Sequence, residues 1–449
     1  MSSLTTDEAN LRRWREDFNA DRAANVARNA VTTTDVDSVA LDRAVVTSLD
    51  HSVSHKVDDW KVTDQKRSGR CWIFSGLNSL RSAVINEEKI KDFEFSQAFA
   101  HFYDKLEKAN YFLNAMAELA DRDIEDRTVQ HLLAEPVEDG GQWSMFVALI
   151  DKYGAVPKYA MPETHSSSHT AHLNRDLNAL LRRGALKVRE DAANAEKTIA
   201  EVLADAYRVL TIHLGVPPER FVWQYRDKDG DFHREGTYTP REFAKRYIPE
   251  DLGEYVCLVN DPRNEYGRRY TVDYLGNVVG AGPVVYLNAP ADALKRAAAA
   301  TLVDGRPVWF GADSTPHASR ELGFWADGLY DYESLYGVEL GMSKTDRLIT
   351  GESMMVHAMV FTGVDLADAD VTDSAALPEN PEINRWRVEN SWGGDKADKG
   401  FWTMADNFFE PFVYEIAVHP RYLSEELRRG LETEPVALPA WDPMGALAR

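Results

Sequence analysis

The chain has 449 residues, of which 44% are hydrophobic and 28% are charged. This composition is typical of a folded protein of two or three domains, or of one large core with insertions. The formal net charge of −22 at pH 7 argues against a function that depends on many contacts to nucleic-acid phosphates. No apolar run is long enough to span a membrane, and residues 1–30 lack the apolar core of a secretion signal.

Cys71 and Cys257 are the two cysteines of the chain. So few cysteines in a long chain indicate a reducing compartment without structural disulfides, and we predict a cytoplasmic protein. Cys257 lies in YVCLVN, a run typical of a buried strand, and is expected to be inert. We expect no cofactor, no metal, and neither nucleic acid nor membrane as a partner.

Helical patterns dominate the first half of the chain. Residues 7–30 have the polar pattern of a helical arm, and residues 71–155 are mostly helical, with apolar and aromatic residues at helical spacing. Gly140 and Gly141 precede the last of these helices, which ends at Gly154.

The pattern changes twice after the first helices. Residues 163–250 contain a polar loop, a charged helical stretch and a hairpin whose turn is Asp-Gly at 229 and 230. From about residue 255, short runs rich in β-branched and aromatic residues predict strands. Helices first and strands later predict an α+β architecture with a cleft between the halves. The C-terminal tail (residues 431–449) contains three prolines and should be extended.

Cys71 is predicted to begin a helix, because the apolar residues of 73–84 recur on one helical face. The unpaired N–H groups of a first helical turn favour a thiolate, and Gly69 would permit a sharp chain reversal before it. Arg67 and Arg70 add positive charge, which acts weakly if the side chains are solvated. A free cysteine is more often a buried packing residue, so this segment alone leaves both interpretations open.

Two polar residues lie in predicted buried strands further along the chain. His357 lies in the apolar run MMVHAMVFTGV, where it is either a hydrogen-bonded core residue or a functional one. Asn390 ends INRWRVEN and shares a face with Trp386 and Val388, and Trp392 follows on that face. A buried amide among aromatic residues needs a hydrogen-bond partner, which an imidazole could supply.

The order Gln65, Cys71, His357 and Asn390 resembles the papain-like cysteine peptidases. Gln65 precedes Cys71 by six positions, as the oxyanion glutamine of that family does, and CWIF follows the family pattern. The resemblance implies that Cys71 is the nucleophile, that His357 is its base, and that Asn390 orients the imidazole. Ser68 replaces the first cysteine of the family motif, which fits a chain without disulfides.

His357 follows Cys71 by 286 positions, against about 130 to 150 in the papain pattern. This insertion, together with QKRSGRCW, EDGGQW, GESMMVHAM and LPAWDPMGALAR, resembles the bleomycin hydrolase and aminopeptidase C family of papain-like peptidases. The resemblance implies a papain-like two-lobed fold, with a helical lobe, a β-barrel-like lobe and a large helical and hook insertion. It also implies a homohexamer.

The resemblance further implies the substrate side of the site. Gly140 and Gly141 are expected to pair with substrate backbone, although a turn before a helix would also explain them. Trp392 is expected to bind substrate. Ala448 and Arg449 are expected in the cleft, where the C-terminal carboxylate would select a free N-terminus. Arg449 extends beyond the family-like GALA ending, so the enzyme could trim it.

We therefore predict a cysteine aminopeptidase that removes N-terminal residues through a thioester acyl-enzyme and could hydrolyse bleomycin-like amides. The alternatives are a papain-like endopeptidase, an inactive peptide-binding cage, and an acyl transferase. The predicted regions are an N-terminal arm packed on the core (1–60), a helical lobe with the nucleophile (61–162), an inserted oligomerisation region (163–290), a β-rich lobe with histidine and asparagine (291–430) and the C-terminal tail (431–449).

Overall fold

Most helices of the protein lie in the first half of the chain and most strands in the second. The computed structural model describes residues 6–57 and 60–448. Its helices are α1 (Glu8–Ala20), α2 (Arg22–Val31), α3 (Val36–Ala40), α4 (Arg43–Ser48), α5 (Cys71–Glu87), α6 (Gln97–Glu118), α7 (Arg127–Ala134), α8 (Trp143–Tyr153), α9 (His165–Ser168), α10 (Ala171–Glu190), α11 (Ala195–Leu214), α12 (Pro240–Tyr247), α13 (Ala291–Val303), α14 (Tyr332–Tyr336), α15 (Lys344–Thr350), α16 (Asp406–Phe412) and α17 (Glu425–Gly430).

The strands form one large mixed sheet and one separate hairpin. They are β1 (His55–Lys56), β2 (Phe221–Arg226), β3 (Phe232–Tyr238), β4 (Val256–Val259), β5 (Arg269–Val272), β6 (Val285–Asn288), β7 (Val308–Ala312), β8 (Ala318–Ser319), β9 (Phe324–Trp325), β10 (His357–Leu366), β11 (Ile383–Glu389), β12 (Phe401–Ala405), β13 (Val413–Val418) and β14 (Val436–Leu438). The large sheet has the order β14-β5-β6-β4-β13-β7-β10-β11-β12-β9-β8, and β1 pairs with β10. The predicted α+β architecture is confirmed.

Helix α5 forms because one face of it is continuously apolar. Ile73, Leu77 and Val84 on this face are at most 2% exposed. A Cβ atom at Gly76 would lie 2.9 Å from the Phe146 ring, so the glycine allows α8 to pack closely on α5. The helix predicted from the apolar spacing is therefore confirmed, and its first residue is Cys71.

The inserted region contains the helices and the hairpin that its pattern predicts. Helices α10 and α11 pack on each other and on α6, and they bury an apolar stripe that includes Leu177 and Leu210. Strands β2 and β3 pair antiparallel around the turn at residues 227–231. A role of this region in oligomerisation stays a prediction.

Buried polar contacts join α5 to the centre of the large sheet. The Ser75 hydroxyl donates to the Ala358 carbonyl of β10 at 2.9 Å. Arg81 donates to Glu389 of β11 at 2.6 Å, and both side chains are fully buried. The start of α5 is thereby fixed across the start of β10.

Helices α1 and α2 carry no buried side chain. Leu11, Trp14 and Phe18 of α1 and Val26 of α2 are between 40% and 69% exposed. Contacts of α2 with α3 and α14 connect this arm to the rest of the chain. Within the described residues, none of the helices combines the length and hydropathy that a membrane crossing requires.

Candidate active site

Cys71 lies at the N-terminus of α5 and is 4% exposed. Its Sγ lies 3.4 Å from the backbone nitrogen of Ala358, the residue after His357, and 3.8 Å from the Gly69 carbonyl oxygen. The positive φ angle of this loop belongs to Lys66, at 55°, and not to Gly69. Gly69 instead allows a close approach, because a Cβ there would lie 2.8 Å from the Cβ of Asp139.

His357 begins β10 and is held by residues that follow β11. Its Nε2 lies 3.0 Å from Oδ1 of Asn390, and its ring stacks on Trp392 with centroids 4.9 Å apart. The antiparallel register, which pairs Val360 with Glu389, brings these residues together. The hydrogen bond that the sequence predicts between the imidazole and the amide is therefore present, and it leaves Nδ1 as the ring nitrogen available to a thiol.

The Gln65 side chain is fixed, six positions before Cys71, by two hydrogen bonds. Its Nε2 donates to the Ser68 carbonyl at 2.7 Å, and its Oε1 accepts from the Ser391 hydroxyl at 2.5 Å. An amide nitrogen carries two hydrogens, so one N–H of Gln65 remains for another acceptor. Since Ser391 follows Asn390 directly, the same segment positions the imidazole and the glutamine.

Burial opposes charge on both Cys71 and His357. It raises the pKa of Cys71 to about 11 and lowers the pKa of His357 to about 4. Hydrogen bonds act in the opposite direction, since the N–H of Ala358 lowers the thiol pKa and Asn390 raises the imidazole pKa. A thiolate–imidazolium pair therefore needs the mutual attraction of its charges to offset burial. The thiolate that the sequence favours at Cys71 stays a prediction.

Arg70 differs from the solvated residue that its sequence context suggests. Its side chain is fully buried, and its Nη1 and Nη2 donate to Glu163 at 3.0 and 2.7 Å. Its Nε donates to the Ser68 hydroxyl at 3.0 Å. Because Glu163 balances its charge, Arg70 fixes the loop before Cys71 and is not a free source of positive charge. Arg67 is exposed, as expected.

Gly140 and Gly141 are buried, and Gly141 lies against α5. A Cβ at Gly141 would lie 2.4 Å from the Trp72 ring, and the Trp72 indole donates to the Asp139 carbonyl at 2.6 Å. Lys108 donates to the Gly140 carbonyl. Close packing against Trp72 therefore also explains why position 141 is a glycine, in addition to a turn before a helix and pairing with substrate backbone. The role of the glycine pair in substrate binding stays a prediction.

The Asp139 carboxylate joins three segments, and the sequence analysis missed it. It accepts hydrogen bonds from the N–H of Gly69 at 2.9 Å, from the Thr170 hydroxyl and from Asn174 at 2.8 Å. It also pairs with Lys105 at 2.8 Å. Asp139 directly precedes the glycine pair in EDGGQW, and this position was the one feature of the sequence that could have indicated its role.

Arg320 is a second residue that the sequence analysis missed. Its guanidinium lies over the Trp392 ring, 4.8 Å from the centroid. Its positive charge also contributes to lowering the pKa of His357, after the larger effect of burial. An exposed cation therefore lies over the indole on which the imidazole stacks.

The C-terminal tail reaches the same part of the sheet. After β14, residues Pro443–Ala448 form a 3-10 turn, so the expectation of a fully extended tail is wrong. Met444 and Leu447 are at most 2% exposed. Leu447 packs near Gly311 of β7, whose strand partner is Ala358. The side chain of Ala448 is not described, and Arg449 lies outside the described residues.

Comparisons with known proteins cover almost the whole chain. A family model described as the Peptidase C1-like family matches residues 3–445. Bleomycin hydrolase of Rattus norvegicus is 42% identical in an alignment 446 residues long that covers 96% of each chain. Bleomycin hydrolase of Homo sapiens is 41% identical and covers 100% of each chain. Aminopeptidase C of Listeria innocua serovar 6a is 40% identical and covers 98% of each chain.

A solved structure is similar over the same length. The crystal structure of PepW from Lactobacillus rhamnosis HN001 has a TM-score of 0.94 and 38% identity, covering 99% of this chain and 100% of that chain. The resemblance that the motifs predict, and the papain-like fold with its large insertion, are confirmed.

Proposed function

The chain belongs to the Peptidase C1-like family, and from this membership we propose that it is a cysteine aminopeptidase with Cys71 as nucleophile and His357 as base. One observation carries the assignment of roles. The thiol of Cys71 touches the residue next to His357, and the imidazole of His357 is held at Nε2 by Asn390. This arrangement supports Cys71 as the nucleophile, His357 as the base and Asn390 as the group that orients the base.

The chemistry follows from the positions of these groups. His357 takes the thiol proton, and Cys71 attacks the carbonyl carbon of the scissile amide. The backbone N–H of Cys71 and the remaining N–H of Gln65 stabilise the oxyanion, and such a donor is worth about 3 kcal/mol. His357 then protonates the leaving amine, water hydrolyses the thioester, and Asn390 keeps the ring oriented throughout.

The C-terminal tail supports cleavage from the N-terminus of peptides. Leu447 packs near Gly311 of β7, whose strand partner is Ala358 of β10, and the Met444 carbonyl is bound by Tyr286 of β6, so we expect a substrate that extends further to clash with the tail. We propose that the carboxylate at the end of the tail attracts the charged amine of a peptide substrate. Ala448 and Arg449 belong to this proposal, as do Gly140, Gly141 and Trp392 as substrate-binding residues.

Hydrolysis of fluorogenic aminoacyl amides tests the proposal. Wild type should cleave substrates with a free amine, Cys71→Ala should be inactive, and Cys257→Ala should retain activity because Cys257 is 3% exposed in β4. Iodoacetamide should label Cys71 and abolish activity. Equal cleavage of N-acetylated peptides would favour the endopeptidase alternative, whereas inactive wild type would favour a peptide-binding cage.

The proposal includes a homohexamer in the cytoplasm. The exposed apolar residues Leu11, Trp14 and Phe18 on α1 support self-association, since an arm with no buried side chain presents apolar surface to solvent. Sedimentation of the wild type should give six times the mass of one chain. Trp14→Asp, compared with the exposed control Arg15→Asp, should shift the distribution towards smaller species, and a monomeric wild type would contradict this part.

A further inference from the structure

The C-terminal tail is anchored by an ion pair before it enters the site. Nη2 of Arg263 donates to Oδ1 of Asp442 at 2.9 Å. The same oxygen accepts from the N–H of Met444, also at 2.9 Å. The carboxylate of Asp442 thus begins the last turn of the chain, and Arg263 fixes the carboxylate.

Arg263 is itself fixed by the sheet. Its Nε and Nη2 donate to the two carboxylate oxygens of Asp261 at 2.9 and 2.8 Å. Asp261 is 2% exposed, and its backbone exchanges two hydrogen bonds of 2.9 Å with the Asn288 side chain. A guanidinium held in this way differs from a flexible surface arginine, because little freedom remains to be lost when it binds the tail.

A second anchor lies two residues further along the tail. The Met444 carbonyl accepts from Nε2 of Gln142 at 3.3 Å and from the Tyr286 hydroxyl at 3.2 Å. Gln142 and Tyr286 are fully buried. Gln142 directly follows Gly141, so this anchor relates the position of the tail to the glycine pair.

We propose that Arg263 is a positioning residue for substrate specificity, because its ion pair with Asp442 sets how far the last residues of the tail reach into the cleft. The inference rests on the proposed function, in which the tail excludes substrates without a free N-terminus. Asp442 and the neutral anchor at Met444 are close in the chain. Loss of the first anchor leaves the short final turn held by the two hydrogen bonds to the Met444 carbonyl and by the packing of Met444 and Leu447. Its end is then positioned less firmly, so it can withdraw and admit a longer substrate.

The test compares two substrates that differ in one group. The ratio of kcat/KM for an N-acetylated aminoacyl amide to that for the same amide with a free amine is measured for the full-length chain. Arg263→Gln should raise this ratio about tenfold, the size of effect expected from the loss of a charge-assisted hydrogen bond. Asp442→Asn should raise the ratio by a similar factor. The double variant should raise the ratio no further than either single variant. The control is Arg268→Gln, whose exposed pair with Glu265 is 3.4 Å long, and its ratio should stay that of wild type.

A chain without residues 446–449 separates this inference from the proposed function. Truncation should raise the ratio, and Arg263→Gln should have no further effect in the truncated chain. If truncation raises the ratio but Arg263→Gln and Asp442→Asn do not, the inference is overturned and the proposed function stands. If truncation leaves the ratio unchanged, the proposed role of the tail fails and the inference fails with it. Equal losses on both substrates would assign Arg263 a structural role only and overturn the inference.

Discussion

The Asp139 carboxylate accepts a 2.9 Å hydrogen bond from the backbone N–H of Gly69, two residues before Cys71. The same carboxylate is paired with Lys105, whose side chain is fully buried. One group therefore connects the loop of the nucleophile with the segment of the glycine pair, although 70 positions separate them in the chain.

We expect Asp139→Ala to lower both stability and kcat. Removing one partner of a buried ion pair costs about 3–5 kcal/mol, since Lys105 would remain buried and unpaired. Loss of the bond to Gly69 should also lower kcat, because the loop before Cys71 is then held less firmly. Urea denaturation and hydrolysis of an aminoacyl amide measure the two effects. Asp151→Ala on the exposed face of α8 is the control, and unchanged kcat in a folded Asp139→Ala would contradict the positioning role.

Gln65→Glu should lower kcat about 10²- to 10³-fold, the effect of losing one oxyanion donor. The substitution keeps the size of the side chain but replaces the donor by an acceptor, which repels the developing negative charge. Steady-state kinetics should show the loss mainly in kcat. Gln130→Glu, at an exposed glutamine of α7, is the matched control. A wild-type kcat in Gln65→Glu would exclude this side chain from the oxyanion site.

Arg320→Gln should shift both limbs of the pH–activity profile to higher pH. A positive charge disfavours a bound proton, so its removal raises the pKa of His357, and the thiol beside it should follow. Because Arg320 is exposed, the shift should be only about a few tenths of a pH unit and should shrink at high salt. Profiles of kcat/KM at two ionic strengths measure it, with the exposed Arg429→Gln as control. A shift towards lower pH would contradict the placement of Arg320.

Glu415→Gln should stabilise the protein increasingly as the pH rises from 5 to 8. Burial raises the pKa of Glu415 from 4.5 to about 8, against a smaller lowering by the Cys257 thiol. Below pH 4.5 the carboxyl is protonated in both states. Above it the unfolded chain releases a proton that the native state keeps, so the native state loses up to about 1.4 kcal/mol per pH unit until pH 8.

Chemical denaturation at several pH values measures this difference. The free energy of unfolding of Glu415→Gln minus that of wild type should grow by a few kcal/mol across the range. Glu425→Gln, whose carboxylate is exposed, should show no such growth. A constant difference between Glu415→Gln and wild type would mean that Glu415 is ionised in the native state.

Local pattern was sufficient to predict α5, the strand that begins at His357 and the strand that ends just before Asn390. It was not sufficient to predict that the other face of β11 is also buried. Arg387 and Glu389 alternate with the apolar residues, which suggests a polar face, yet they are 6% and 2% exposed. Glu389 accepts hydrogen bonds from Arg81 and Asn78 of α5. Because these partners lie far away in the chain, the spacing of residues around Glu389 does not reveal them.

The anchors of the site were beyond sequence reasoning for the same reason. Asp139 with Gly69 and Arg263 with Asp442 are contacts between segments far apart in the chain. Single charged residues in loops carry no spacing that indicates a partner. Motif order predicted the groups that we propose to react, because each of them lies in a short segment with its own pattern.

The buried pair of Arg81 and Glu389 joins residues that are 308 positions apart. During synthesis the ribosome releases the helix of Cys71 long before the strand that completes this pair. The nascent chain therefore carries a thiol without its imidazole until most of the polypeptide has emerged. Hydrolytic activity should therefore arise only near the end of translation.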